Sequence, residues 1–201
     1  RAWNDALTYF IQSFELGGST LQRASESLYN VISICFFKIC KWVDSILNGK
    51  VVLGLVDIYR NPKKVIDQTV LIARAYMRLF DYDNAFYYSS KAAEYFERLL
   101  NIEFIDACIV NLEVNYFFRK TAYAIKLSDK YIEIAERQKM DKELAVILYW
   151  AGKIESEVNR DTAINYFNES LEICDEQNLT KTKLECLMEI ARINLSYGRI
   201  T

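Results

Sequence analysis

Three stretches of the chain carry the same order of small, apolar and polar residues without a gap. They are A-F-Y-Y-S-S-K-A-A-E-Y-F-E-R from Ala85, A-I-K-L-S-D-K-Y-I-E-I-A-E-R from Ala124 and A-I-N-Y-F-N-E-S-L-E-I-C-D-E from Ala163. Their starts stand 39 and 39 residues apart, and a fourth relative begins 79 residues upstream of Ala85, at Ala6. Each carries a glutamate nine positions on, at Glu15, Glu94, Glu133 and Glu172. Each reads as an amphipathic helix, with the glutamates on its solvated face. A second helical pattern precedes it, in segments around Ala73, Leu112, Ala151 and Ala191 whose centres step by 39, 39 and 40 residues.

The predicted unit is therefore helix, tight turn, helix. Short polar turns (F-D-Y-D-N-A, F-R-K-T-A-Y-A, V-N-R-D-T-A) separate the paired helices, and Asp83, Thr121 and Asp161 are placed to cap the second one. Gly17-Gly18 before Ser19-Thr20 reads as a helix stop and a new start. Small residues at the recurring alanines let two helices cross closely. Regularity is lost between Gly18 and Pro62. There the run Val31 to Val43 reads as part of one mostly buried helix, whose polar stripe extends from Ser27 to Asn48. Residues 49–62, with Gly49, Gly54 and several β-branched side chains, read as a distorted helix.

Composition agrees with this pattern. The chain has 201 residues, 52% hydrophobic and 26% charged, with one proline and six glycines. So few breakers favour long helices, and an all-α fold is expected. The apolar run Val31 to Val43 is interrupted by Lys38 and Lys41 and falls short of the roughly 20 residues of a membrane span. With 25 basic and 27 acidic side chains, the net charge of -2 argues against direct nucleic-acid binding. Five cysteines without a C-x-x-C pair read as reduced, mostly buried thiols, which points to the cytoplasm or the nucleus.

The chain contains no histidine. That removes serine–histidine and cysteine–histidine nucleophilic pairs and most transition-metal sites. Phosphate-binding glycine loops are also absent. No enzymatic activity, cofactor or metal is expected.

The stretches Tyr149 to Ile173 (Y-W-A-G-K-I through N-R-D-T-A-I-N-Y-F-N-E-S-L-E-I) and Ile72 to Glu94 resemble the tetratricopeptide repeat family in their aromatic/small pair, alanine, aromatic and A/S-L-E positions. The family unit is about 34 residues, whereas this one is 39 to 40, and the family's closing proline is missing. Longer units of this kind resemble those of bacterial quorum-sensing peptide receptors and eukaryotic polarity and motor-adaptor scaffolds. The resemblance implies a right-handed α-solenoid of antiparallel helix pairs whose first helices line a concave, peptide-binding groove. The expected organisation is a single array over 1–201: a second helix of a truncated repeat at 1–18, a degenerate repeat at 19–62 and regular repeats at 63–201. A chain opening halfway through a repeat is expected to be a fragment of a longer protein, with an incompletely covered apolar face on Asn4 to Leu16.

Aligned on the repeat, Arg74, Arg78, Glu113, Phe117, Tyr149, Glu155 and Arg192 fall on the face expected to look into the groove. Arg74 and Arg78, four apart, suit a ligand carboxylate, though ordinary surface pairing fits them equally. Asn111, Asn115 and Asn194 suit either a peptide backbone or hydrogen bonds between helices. The leading expectation is a non-catalytic scaffold that binds a protein or peptide. The alternatives are the ligand-binding domain of a bacterial peptide-sensing regulator, and a structural subunit of a larger complex.

Overall fold

A computed structural model of the chain describes residues 2–16, 22–99 and 105–196. Ten helices account for nearly all of them: α1 (Ala2–Leu16), α2 (Gln22–Lys38), α3 (Trp42–Leu55), α4 (Pro62–Arg78), α5 (Tyr82–Leu99), α6 (Ile105–Phe117), α7 (Thr121–Arg137), α8 (Asp141–Glu155), α9 (Arg160–Gln177) and α10 (Thr180–Ser196). No strand occurs among the described residues, and the fold is all-α. The turn read at Gly17–Thr20 lies outside them.

Even-numbered helices are the first members of the helix pairs and odd-numbered helices the second. From α3 onward the second members start at Trp42, Tyr82, Thr121 and Arg160, steps of 40, 39 and 39. The recurring alanines Ala85, Ala124 and Ala163 are fully buried, as close helix crossings require.

Residues 22–55, where the sequence pattern fades, form a helix pair of the same spacing. Ser33 and Ser45 occupy the places of Ala73 and Ala85, 40 residues earlier. Both are buried and tie α2 to α3 reciprocally: Ser33 Oγ donates to the Ser45 carbonyl at 2.8 Å, and Ser45 Oγ to the Ser33 carbonyl at 2.9 Å. The single helix expected across Val31–Val43 is two, because the chain turns at Ile39–Lys41. Residues 49–55 continue α3, and the chain leaves the helix at Val56.

That turn was hidden from composition because it uses no glycine. Cys40 adopts a left-handed φ of 61°, with Lys41 N–H bonded to the Phe36 carbonyl at 2.9 Å. Phe80, Arg119, Lys139 and Asn178 repeat the device at φ between 54° and 58°, each followed by a backbone bond five residues back. Helix starts are capped two residues upstream of the expected positions. Asp81 Oδ1 accepts from Asn84 N–H at 3.2 Å, and Asn159 Oδ1 accepts from Asp161 and Thr162 N–H. Lys120 precedes α7 without a side-chain cap, while the Thr121 hydroxyl donates to Glu157 at 2.9 Å. Asp83 and Asp161 instead lie in the first turns of α5 and α9, where negative charge favours the helix dipole.

The chain divides into two compact units, residues 1–110 and 111–201, with the division inside α6. In the first, α1 packs on α2, α2 on α3, α3 on α4 and α4 on α5. Its core includes Leu28, Ile32 and Cys35, and a second cluster of Ile46, Ile72 and Ala75 supported by Trp42, Tyr76 and Tyr88. Trp3 and Tyr9 on α1 are exposed.

In the second unit α7 packs on α8, α8 on α9, and α10 on both α8 and α9. Its core joins Tyr149, Ala163, Phe167, Cys186 and Ile193. Phe167 is fully buried, which stabilises the unit by about 1.5–3 kcal/mol. Gly152 admits its ring: a Cβ there would stand 2.7 Å from Phe167 Cε1. Four of the five cysteines are buried free thiols, and Cys40 is the exposed one. Burial pushes the Cys186 thiol up to about 11, so it is neutral near pH 7 and donates to Ser170 Oγ at 3.3 Å.

Candidate ligand-binding face

The residues aligned on the groove face separate into distinct environments. Tyr149 is 8% exposed and packs against Phe167 at 6.2 Å between ring centroids, so it is a core residue and does not face a groove. Burial is the main cause that holds its phenol protonated well above the ordinary tyrosine range. Asn111 and Asn115 are also buried, and Asn115 Nδ2 donates to the Asn111 carbonyl at 2.8 Å and to its Oδ1 at 2.9 Å. Neither amide is available to a peptide backbone. Asn194 Oδ1 accepts from Arg160 at 3.1 Å, tying α10 to α9. Glu113 and Glu155 are half-buried. Burial, then the nearby Asp129 carboxylate, raises the Glu155 pKa.

In the first unit, Arg74 lies at the rim of a cleft of about 200 Å³ whose walls include Ile34, Asp67, Gln68, Leu71 and Asp106. Its guanidinium is 3.9 Å from the Asp106 carboxylate, a long and largely solvated pair worth little to stability. Arg78, one turn further along α4, is exposed and is not among the cleft residues. First helices here are bridged by polar side chains, with Lys64 paired to Glu26 at 2.5 Å and Gln68 Nε2 donating to Asn30 at 2.7 Å.

In the second unit α6, α8 and α10 assemble a denser group. Phe117 is 42% exposed and meets Trp150 edge-on, with centroids 6.3 Å apart; Tyr116 lies 5.9 Å from the same indole. Lys153, one turn along α8 from Trp150, places its ammonium 4.9 Å from the Tyr116 centroid, 5.2 Å from Trp150 and 5.7 Å from Tyr149. Such cation–π contacts contribute about 0.5–2 kcal/mol each, depending on desolvation. The same ammonium is 3.4 Å from Glu189 Oε1, while Glu189 Oε2 accepts from Arg192 Nε at 2.7 Å.

One carboxylate thus bridges two cations, leaving a local excess of one positive charge. Lys153 and Glu189 are 15% exposed in their side chains, whereas Arg192 is 61% exposed. The hydrogen bond to Glu189 is the main cause that raises the Arg192 pKa. The arrangement offers an aromatic shelf beside a solvent-facing guanidinium, which suits a ligand with an apolar or aromatic side chain and a neighbouring acid.

Of the residues aligned on the groove face, Phe117 and Arg192 meet here. Tyr116, Trp150, Lys153 and Glu189 belong to the same group, and none of them was among the residues aligned on the groove face. Their signal was the pairing of Trp150 with Lys153 and of Glu189 with Arg192, three apart on successive first helices. Among the described residues, no group of three or more His, Cys, Asp or Glu side chains is placed to hold a metal ion. No described helix is long and apolar enough to cross a membrane.

Solved structures place this fold. The chain is similar to a Rap protein solved in complex with competence and sporulation factor: 14% identity, TM-score 0.71, over 87% of this chain and 50% of that one. It is also similar to aspartyl phosphate phosphatase F from Bacillus subtilis, at 15% identity and TM-score 0.75, over 94% and 50%. A third likeness is to a signal transduction ATPase with numerous domains from Pyrococcus horikoshii, which has a tetratricopeptide repeat sensor: 18% identity, TM-score 0.61, over 87% and 28%. The fold is that of tetratricopeptide-type helical repeats. The chain spans about half the length of the Rap protein and the phosphatase. No family model and no curated protein matches the sequence.

Proposed function

We propose that this chain is a non-catalytic peptide- or protein-binding scaffold, and that the face built by Tyr116, Phe117, Trp150, Lys153 and Arg192 contacts the ligand. The carrying observation is the juxtaposition of exposed aromatic edges with a solvent-facing arginine on successive first helices. The ligand class is a peptide segment presenting an apolar or aromatic side chain next to an acidic one. The Rap protein structure, determined in complex with competence and sporulation factor, favours a second reading in which the binding array serves a peptide-sensing regulator.

A library of short synthetic peptides, screened in solution by the fluorescence of a Trp3→Phe, Trp42→Phe variant that keeps Trp150 and followed by titration of the tightest binder, tests this. Arg192→Glu is expected to weaken that peptide at least tenfold, since it replaces a charge-assisted bond by repulsion. Equal affinity of wild type, Arg192→Glu and Phe117→Ala for the selected peptide would place the binding surface elsewhere.

A further inference from the structure

Among the described residues, the outer faces of the second helices are mostly polar, and α3 departs from the others in carrying a line of aliphatic side chains. At the three positions one turn apart that begin this face, α1 has Asn4, Thr8 and Gln12, and α5 has Asp83, Tyr87 and Lys91. The corresponding triplet is Ala122, Lys126 and Lys130 in α7, and Asp161, Asn165 and Glu169 in α9. On α3 the same positions are Val43, Leu47 and Val51, and Leu55 extends the line by another turn. These four are 57%, 58%, 40% and 47% exposed. They run along the side of α3 away from its buried Ser45, Ile46, Gly49 and Val52.

We propose that this stripe is a self-association face, where α3 packs antiparallel against α3 of a second copy of the chain. The register is internal to the sequence. A two-fold axis passing Gly49 sets Val43 opposite Leu55 and Leu47 opposite Val51, so every contact pairs a smaller with a larger aliphatic side chain. Just outside the two ends of α3, exposed Lys41 and exposed Asp57 carry opposite charges, so antiparallel packing brings unlike charges to each end of the helix pair. Spacing by four residues is the ridge that interdigitates when two helices cross at about 50°. The stripe and its rim supply roughly half of the ~800 Å² per partner of a standard interface, which places the contact among small, readily reversible associations.

The test is sedimentation of the whole chain over a range of concentrations, together with distance measurement between spin labels on Cys40, the exposed thiol. A reversible monomer–dimer equilibrium is expected. Leu47→Glu, at an exposed position, should abolish it while leaving the circular dichroism spectrum unchanged. Lys41→Glu should weaken it about tenfold at low salt, and adding Asp57→Lys should recover it. Cys40 stands just before the start of α3, so antiparallel pairing places the two labels at opposite ends of the helix pair, roughly 20–30 Å apart at about 1.5 Å per helical residue. A chain monomeric at every concentration, a Leu47→Glu variant that dimerises like wild type, or labels in near contact would each overturn the proposal.

Discussion

Gly152→Ala tests how closely the helices of the second unit approach. A methyl group at Gly152 would lie 2.7 Å from Phe167 Cε1 and 2.9 Å from both Cδ1 and Cζ, where ordinary contact begins at 3.4 Å. The ring must therefore retreat by about 0.7 Å, yet it is fully buried and packed within the Tyr149, Ala163, Cys186 and Ile193 cluster. Overpacking of this kind costs about 1–3 kcal/mol. Alanine recovers at most about 1 kcal/mol of helix propensity over glycine. The expected net result is a loss of about 1–2 kcal/mol. Gly54 is the control, because a Cβ there meets nothing within 4 Å; Gly54→Ala should gain a few tenths to about 1 kcal/mol. Urea unfolding followed by circular dichroism measures both. Placed in a Phe167→Leu background, Gly152→Ala should become neutral or stabilising, as a double-mutant cycle reads directly. A Gly152→Ala protein as stable as Gly54→Ala would refute the close approach.

Two further outcomes follow from the turns and from the Asp129 neighbourhood. Phe80 is 76% exposed and holds φ at 58°, so Phe80→Gly should relieve left-handed strain and raise stability by about 0.5–1 kcal/mol, read as a shift of roughly 2 °C in Tm. Glu155 has its pKa raised in the folded state, first by burial and then by Asp129. A raised carboxylate favours folding below its unfolded pKa and loses that contribution as pH rises through the folded value. Glu155→Gln should therefore be more stable than wild type near pH 7, with the difference vanishing in acid. Denaturation midpoints measured across pH check the sign.

The repeat was legible wherever close helix crossings use alanine, because a buried small residue leaves a mark at fixed spacing. It was not legible at Ser33 and Ser45, which do the same work with hydroxyls that donate to each other's backbone carbonyls. The α2–α3 boundary escaped for a related reason, since Cys40 makes a turn that a reader looks for at glycine. On the candidate face, the alignment named first helices but could not fix the rotation of each side chain. Tyr149 and Trp150 are neighbours in sequence, yet Tyr149 belongs to the core while Trp150 meets exposed Phe117. Asn111 and Asn115 carry peptide-like amides, but both are buried four residues apart, and the Asn115 Nδ2 group is spent on Asn111.

The backbone-closed turns have an evolutionary corollary. Their geometry is maintained by amide-to-carbonyl bonds, so the left-handed site accepts side chains of quite different chemistry at a modest cost in strain. Cys40, Phe80, Arg119, Lys139 and Asn178 all occupy it. A chain built this way can drift in sequence at these five corners while its helices keep their spacing, provided that volume at the crossings is conserved. What such a lineage transmits is a set of permitted sizes rather than a string of letters, and its kinship would be read from shape long after the letters had diverged.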